Sequence, residues 1–118
     1  MIKSGPFAPE SPSRHHKARR YHRFPLDARV ALVRAGHRRP LYGRTLGISE
    51  AGISALLAAD LEVGESVGLE FPLPGNSQRL AVRAVVRNRS GARYGFEFVS
   101  LSEGQRSEIS AFRESQNE

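Results

Sequence analysis

The sequence predicts an all-β domain that ends in a single helix. Short runs with one apolar stripe recur about every 10–15 residues, and glycine- or proline-bearing turns separate them. This pattern is typical of an antiparallel barrel or sandwich, and a closed barrel is favoured because it leaves no free strand edges. A final segment with apolar residues one helical turn apart predicts the helix.

Alternating apolar and polar residues define the strands. They are predicted over Leu26–Arg34, Leu41–Leu46, Ile53–Leu57, Val67–Phe71 and Leu80–Val86, followed by a last strand that carries Tyr94, Phe96 and Phe98. In the first strand the residues expected to face inward are Ala28, Val30 and Leu32, and those expected to face outward are Asp27, Arg29 and Val33. A helical turn over residues 54–59 is the alternative to the third strand, because alanine and leucine favour helices.

The C-terminal helix is predicted to begin after Ser102, which can cap it. Gln105, three residues later, completes a capping box. Ile109 and Phe112 lie one turn apart and can dock on the barrel, and Leu101 precedes the cap as a possible hydrophobic staple. Residues 114–118 are polar and are expected to fray, so we place the end of the domain at residue 113.

Length and composition restrict the class of protein. The 118 residues fit one domain, and the absence of cysteine excludes disulfides, thiolate metal sites and cysteine nucleophiles. We therefore expect a cytoplasmic location. No apolar run approaches membrane-spanning length, so we expect no membrane insertion. Residues 1–16 contain three prolines and little to bury, which predicts a flexible arm ahead of a domain over residues 17–113.

The charge of the chain indicates an anionic partner. The formal net charge is +6 and the isoelectric point is about 10.7, with most of the excess in the N-terminal third. Nucleic acid, a nucleotide and an acidic membrane surface are all compatible with this charge. A basic surface kept for solubility is the alternative.

Three arginines lie within five residues just before the first strand. They are Arg19, Arg20 and Arg23. A guanidinium is planar and permanently charged, and it can pair with a phosphate, bind the O6/N7 edge of guanine or stack on a purine ring. The segment is therefore a candidate site for purine and phosphate groups, and a solvated basic arm is the alternative.

The segment from Gly47 to Gly52 is predicted to be a turn between two strands. In it Ser49 can donate a hydrogen bond to a phosphate oxygen. Gly52 permits a positive φ and a close approach by a ligand, and free amides in such a turn can form an anion-binding nest. An ordinary hairpin turn is the alternative.

The sequence predicts neither a metal site nor an enzyme. The four histidines are His15, His16, His22 and His37, and none has a partner at a metal-ligand spacing. The turns carry no pair of carboxylates suited to acid–base catalysis. We expect no catalytic residues and no cofactor.

Taken together, these motifs resemble the PilZ domain, a bacterial receptor module for cyclic di-GMP. The resemblance rests on Arg19-x-x-x-Arg23, a strand, x-x-Ser49-x-x-Gly52, and the terminal run from Tyr94 to Phe98. It covers residues 17–113 and implies a six-stranded antiparallel β-barrel with a C-terminal helix.

The resemblance also implies a ligand site. Arg19 and Arg23 would bind guanine and phosphate from a flexible arm that folds onto the barrel, and Ser49 and Gly52 would complete the pocket. The family has Asp or Asn at the position of Gly47, where its side chain helps to hold a guanine, and glycine offers no such group.

Three functions follow as hypotheses. The first is a cyclic di-GMP sensor that orders its arginine-rich arm on binding, with added charge from Arg20, and signals to an unknown partner protein. The second is a PilZ domain that does not bind cyclic di-GMP and acts as a protein-interaction adaptor, which Gly47 favours. The third is a small basic nucleic-acid-binding barrel. Nucleic acid is the less favoured partner, because Phe71, Tyr94, Phe96 and Phe98 occupy inward positions and few rings remain for stacking.

Overall fold

A computed structural model describes residues 23–75 and 78–116, and these ranges contain seven strands and one helix. The strands are β1 (Phe24–Pro25), β2 (Arg29–Arg34), β3 (Leu41–Ile48), β4 (Gly52–Leu57), β5 (Ser66–Pro72), β6 (Arg79–Ser90) and β7 (Arg93–Ser100). The helix is α1 (Glu103–Gln116).

Six of the strands close into an antiparallel barrel. Their order is β3-β2-β5-β6-β7-β4, and β4 pairs again with β3 to complete the ring. The two-residue strand β1 adds to the edge of β3, where Phe24 lies opposite Ile48. The predicted barrel with a C-terminal helix is thus confirmed. The alternative of a helical turn over residues 54–59 is wrong, because residues 52–57 form β4.

The inward stripes of the strands form a single core. The buried positions include Val30, Leu32, Val67, Leu69, Phe71, Leu80, Val82, Ala84, Val86, Tyr94, Phe96 and Phe98. Fully burying a side chain of this kind contributes about 1.5–3 kcal/mol. The inward prediction is confirmed for Val30 and Leu32 and for Phe71, Tyr94, Phe96 and Phe98, and Ala28 is half-buried. Val33, predicted to face outward, is 48% exposed.

The strands β3 and β6 extend two or more residues beyond their predicted ends, whereas β2 begins at Arg29, three residues later than predicted. β3 continues through Gly47 and Ile48, and β6 continues through Ser90. Apart from Ile48, which is buried in the core, these extra residues are glycine or polar, but their backbones still pair with β1, β4 and β7. Backbone pairing between neighbouring strands therefore extends beyond the residues that alternate between apolar and polar.

The predicted capping box is present at the start of α1. The hydroxyl of Ser102 accepts a hydrogen bond from the amide of Gln105 at 3.1 Å, and the side-chain oxygen of Gln105 accepts one from the amide of Ser102 at 3.0 Å. Each side chain thereby satisfies an amide that the helix itself leaves free.

The helix docks on the barrel through its predicted apolar face. Ile109 and Phe112 are buried in the core, and Leu101 packs against it. The helix continues to Gln116, past the point where its polar composition predicted fraying. Ser115 donates to the carbonyl of Phe112 at 2.7 Å and satisfies one of the free carbonyls of the last turn. The division into arm, domain and tail stays a prediction.

An ion pair fastens the end of β2 to the loop before β5. Arg34 Nε donates to Glu65 Oε2 at 2.7 Å and its Nη2 donates to Oε1 at 3.3 Å, while the amide of Glu62 also donates to Oε1. The hydrogen bond from Arg34 lowers the pKa of Glu65. Because the pKa is lower in the folded state than in the unfolded state, the pair stabilises the fold above the unfolded pKa. That stabilisation is lost as the pH falls through the folded pKa.

Glu65→Gln is expected to lower the free energy of unfolding by about 0.5–1 kcal/mol at neutral pH, since the pair is partly exposed. The difference from wild type should shrink as the pH falls through the lowered pKa of Glu65, because the wild-type carboxylate then becomes neutral. Urea unfolding at neutral pH and at about pH 3 tests this. An equal difference at both pH values would contradict the assigned role.

Candidate ligand-binding site

A cleft of about 700 Å³ opens on the outer surface of the barrel, beside the turn between β3 and β4 and the first turns of α1. Its walls include Arg23, the turn from Ser49 to Gly52, Asn88, Gly95 and Arg106. The fold therefore brings Arg23 next to Ser49 and Gly52, two predicted site residues that lie more than twenty positions later in the sequence. The cleft lies on strands and turns whose backbones are fixed by the closed ladder.

Of the other predicted site residues, Gly47 lies beside this cleft, and two arginines lie outside the residues that the structure describes. Gly47 is buried next to Arg23: a Cβ on Gly47 would lie 4.0 Å from the Cβ of Arg23 and 3.3 Å from the carbonyl oxygen of Phe24. Arg19 and Arg20 lie outside the described residues, and so do His15, His16 and His22.

Ser49 is buried and shapes the turn. Its hydroxyl oxygen accepts hydrogen bonds from the amides of Ala51, at 3.1 Å, and Gly52, at 3.2 Å. Its own amide donates to the carbonyl of Gly52 at 2.8 Å. These three amides are therefore occupied inside the turn and do not form the predicted anion-binding nest. Direct contact between Ser49 and a phosphate stays a prediction.

Glycine is required at position 52 because the backbones of β4 and β7 approach each other closely there. Gly52 does not adopt the positive φ that glycine permits, because the glycines with positive φ in residues 23–75 and 78–116 are Gly36, Gly64, Gly75 and Gly91. A Cβ on Gly52 would instead lie 2.1 Å from the carbonyl oxygen of Phe96. The close neighbour is strand β7, and this packing explains why the position holds glycine.

Glu50 connects the turn to the C-terminal helix. Its Oε2 accepts a hydrogen bond from the hydroxyl of Ser110 at 2.7 Å and forms an ion pair with Arg113 Nη1 at 2.9 Å. The sequence motifs do not reveal this link. No local pattern could have revealed it, because the partners are some sixty residues apart.

The cleft has an excess of positive charge. Arg87 forms an ion pair with Glu97, so these two side chains neutralise each other. Over residues 23–75 and 78–116, Arg23 and Arg106 form no ion pair, although both line the cleft. Two guanidinium groups are thus available to an anionic ligand.

The described residues contain no group of three or more His, Asp or Glu side chains placed to hold a metal ion. His37, the one histidine in this part of the chain, is exposed, and its Nδ1 lies 3.1 Å from the carbonyl oxygen of Ala35. Over the same residues, no helix has the length and apolar character needed to cross a bilayer.

Comparison with known sequences identifies one family. The profile of the PilZ domain matches residues 17–115 of the chain. A search of curated proteins returned no match.

Comparison with solved structures shows the same fold. YcgR from Escherichia coli, in complex with c-di-GMP, superposes with a TM-score of 0.70 at 21% identity, over 83% of this chain and 45% of that chain. The inhibitor of motility MotI/DgrA from Bacillus subtilis gives a TM-score of 0.67 at 20% identity, over 83% and 51%. The PilZ domain of CeSA from a cellulose-synthesizing bacterium gives 0.63 at 19%, over 82% and 99%. The chain thus spans about half the length of the first two proteins and nearly all of the third.

Proposed function

The chain belongs to the PilZ domain family, and from this premise we propose that it is a cyclic di-GMP receptor that signals to a partner protein. The observation that carries the proposal is the cleft, which unites Arg23 with the Ser49–Gly52 turn inside a family match that spans residues 17–115. PilZ domains are receptor or adaptor modules, so the proposal includes no catalysis.

The chemistry of the cleft suits this ligand. Cyclic di-GMP carries two phosphates and two guanines. An arginine pairs with phosphate through two parallel hydrogen bonds, or with the O6/N7 edge of guanine. Arg23 and Arg106 supply such groups in the described structure, and Arg19 and Arg20 would add to them. The volume of about 700 Å³ lies within the usual range for small-molecule sites.

The glycine at position 47 should weaken binding without abolishing it. Loss of one hydrogen bond to a ligand costs about 0.5–1.5 kcal/mol, which corresponds to roughly a two- to tenfold change in Kd. The arginines retain charge-assisted contacts, which contribute more per bond.

Signalling would come from ordering of the N-terminal arm. Arg23 directly precedes β1, which pairs with the end of β3 at Gly47 and Ile48. Ligand contacts made by Arg19, Arg20 and Arg23 would extend this attachment toward the N-terminus and present a new surface to the partner. A ligand shifts such an equilibrium only by its difference in affinity between the two states.

Addition of cyclic di-GMP is expected to slow amide hydrogen exchange in residues 17–24 and in the Ser49–Gly52 turn, because both would become ligand contacts. Hydrogen exchange followed by mass spectrometry measures this directly, with GTP as the control ligand. Saturable binding without slower exchange in the arm would contradict the signalling mechanism, while leaving the receptor assignment in place.

The second candidate is an adaptor that binds a partner protein without cyclic di-GMP. Gly47 favours it, because the residue lacks the side chain that the family uses to hold a guanine. A nucleic-acid-binding barrel has less support. Its stacking platform would need exposed rings, whereas Phe71, Tyr94, Phe96 and Phe98 are all buried.

A further inference from the structure

Gly47 belongs to one row of neighbouring residues that crosses the outer face of the barrel. Along this row Gly47 pairs with Ser54, Ser54 with Gly95, and Gly95 with Asn88. Residues paired in this way point to the same face of a sheet. The adjacent Phe96 points into the core, so the row points outward. Between Gly47 and Asn88 the row therefore contains only two small residues, Ser54 and Gly95.

The side chain of Asn88 lies over Gly95. A Cβ on Gly95 would come within 2.5 Å of Asn88 Oδ1 and 2.7 Å of Nδ2, so only glycine lets the carboxamide rest there. The register shifts between Val86 and Asn88, which makes Arg87 the extra residue and puts Asn88 opposite Gly95. Bulges of this kind re-aim side chains beside functional sites.

Arg23 stands at the opposite end of the row. A Cβ on Gly47 would lie 4.0 Å from the Cβ of Arg23, and Arg23 and Asn88 both line the cleft. The carboxamide over Gly95 is two strand spacings from Gly47, or roughly 10 Å. That distance leaves room for one flat base with a hydrogen bond at each edge. The carboxamide of Asn88 forms no hydrogen bond with any residue in 23–75 or 78–116.

We propose that Asn88 binds a guanine of cyclic di-GMP from the wall opposite Arg23, in place of the side chain that Gly47 lacks. This inference rests on the proposed function. It names the second polar contact for the base and explains how the domain would bind its ligand with glycine at position 47.

The two walls offer complementary chemistry. A guanidinium pairs with the two acceptors O6 and N7 of guanine. A carboxamide carries an acceptor and two donor hydrogens, so it can accept from guanine N1–H and donate to O6. A carboxylate can accept from N1–H and the exocyclic amino group. The proposed contact is therefore one that either Asn or Asp can make.

The test compares Asn88→Leu with Asn88→Asp by calorimetric titration with cyclic di-GMP. Leucine removes the hydrogen bonds, and we expect it to weaken binding about tenfold. Aspartate keeps the acceptors, and we expect its Kd to lie much closer to that of wild type. The titrations are run at about 0.5 M salt, which screens the added charge of aspartate.

A matched control separates the base contact from a change in the strand. Ser90 is exposed, lies two residues further along β6, and is outside the lining of the cleft. Ser90→Leu introduces the same side chain and is expected to leave the affinity unchanged. Thermal unfolding of all three variants verifies that each is folded.

The outcomes distinguish this inference from the proposed function. Wild-type affinity in Asn88→Leu, or equal losses in the leucine and aspartate variants, would overturn the role of Asn88. The receptor would still stand if Arg23→Ala lost binding. Absence of cyclic di-GMP binding by the wild-type protein would overturn the proposed function, and the role of Asn88 with it.

Discussion

Replacement of Gly52 by alanine is expected to lower the free energy of unfolding by about 2–4 kcal/mol, one of the largest effects of a single methyl group in this protein. The added Cβ would lie 2.1 Å from the carbonyl oxygen of Phe96. This neighbour is backbone in the β4–β7 ladder and cannot move aside like a flexible side chain. Urea unfolding followed by circular dichroism measures the loss.

Gly68→Ala is the matched control. Gly68 also lies in a strand of the barrel, but the nearest atom to an added Cβ is the Cβ of Val33 at 4.0 Å, an ordinary contact. We expect this variant to be as stable as wild type or slightly more stable, since alanine loses less backbone entropy on folding. Equal stabilities of the Gly52 and Gly68 variants would show that β7 does not restrict position 52.

Replacement of Arg23 by alanine is expected to weaken cyclic di-GMP binding by about 30-fold or more, because a charge-assisted or bidentate contact contributes about 2–3 kcal/mol. The fold should be unchanged. Arg23 is exposed and forms no ion pair within the part of the chain that the structure describes. Calorimetric titration gives the affinity, and thermal unfolding gives the stability.

Arg93→Ala is the matched control, because it removes the same charge from a residue that does not line the cleft. Arg93 is also exposed and forms no ion pair within residues 23–75 and 78–116. Its affinity is expected to remain close to that of wild type. An unchanged affinity of Arg23→Ala for cyclic di-GMP would contradict the assignment of the cleft as the binding site. Equal losses in both variants would mean that net charge, rather than the cleft, determines binding.

Features that depend on nearby residues could be predicted from the sequence. The alternation in β5, with Val67, Leu69 and Phe71 on one side, gave the correct strand and buried face. The capping box of Ser102 and Gln105 was predictable because both of its hydrogen bonds join residues three apart. The arginine and glycine motifs were visible for the same reason.

Features that depend on strand register could not be predicted in this way. The constraint on Gly52 comes from Phe96, and Asn88 becomes relevant only because a bulge brings it opposite Gly95. The register shift between Thr45 and Gly47 is likewise a property of the paired strands. The sequence motif therefore indicated the turn, which begins at Ser49 rather than at Gly47. Close packing against Phe96, and not a positive φ, explains the glycine at position 52.

The most direct test of the receptor assignment is a calorimetric titration of the wild-type protein with cyclic di-GMP, with GTP and a short oligonucleotide as controls. We predict saturable binding of cyclic di-GMP alone, with Kd in the micromolar range or tighter. No binding of cyclic di-GMP up to about 100 micromolar, which corresponds to an affinity weaker than about −5.5 kcal/mol, would contradict the receptor assignment and favour the adaptor.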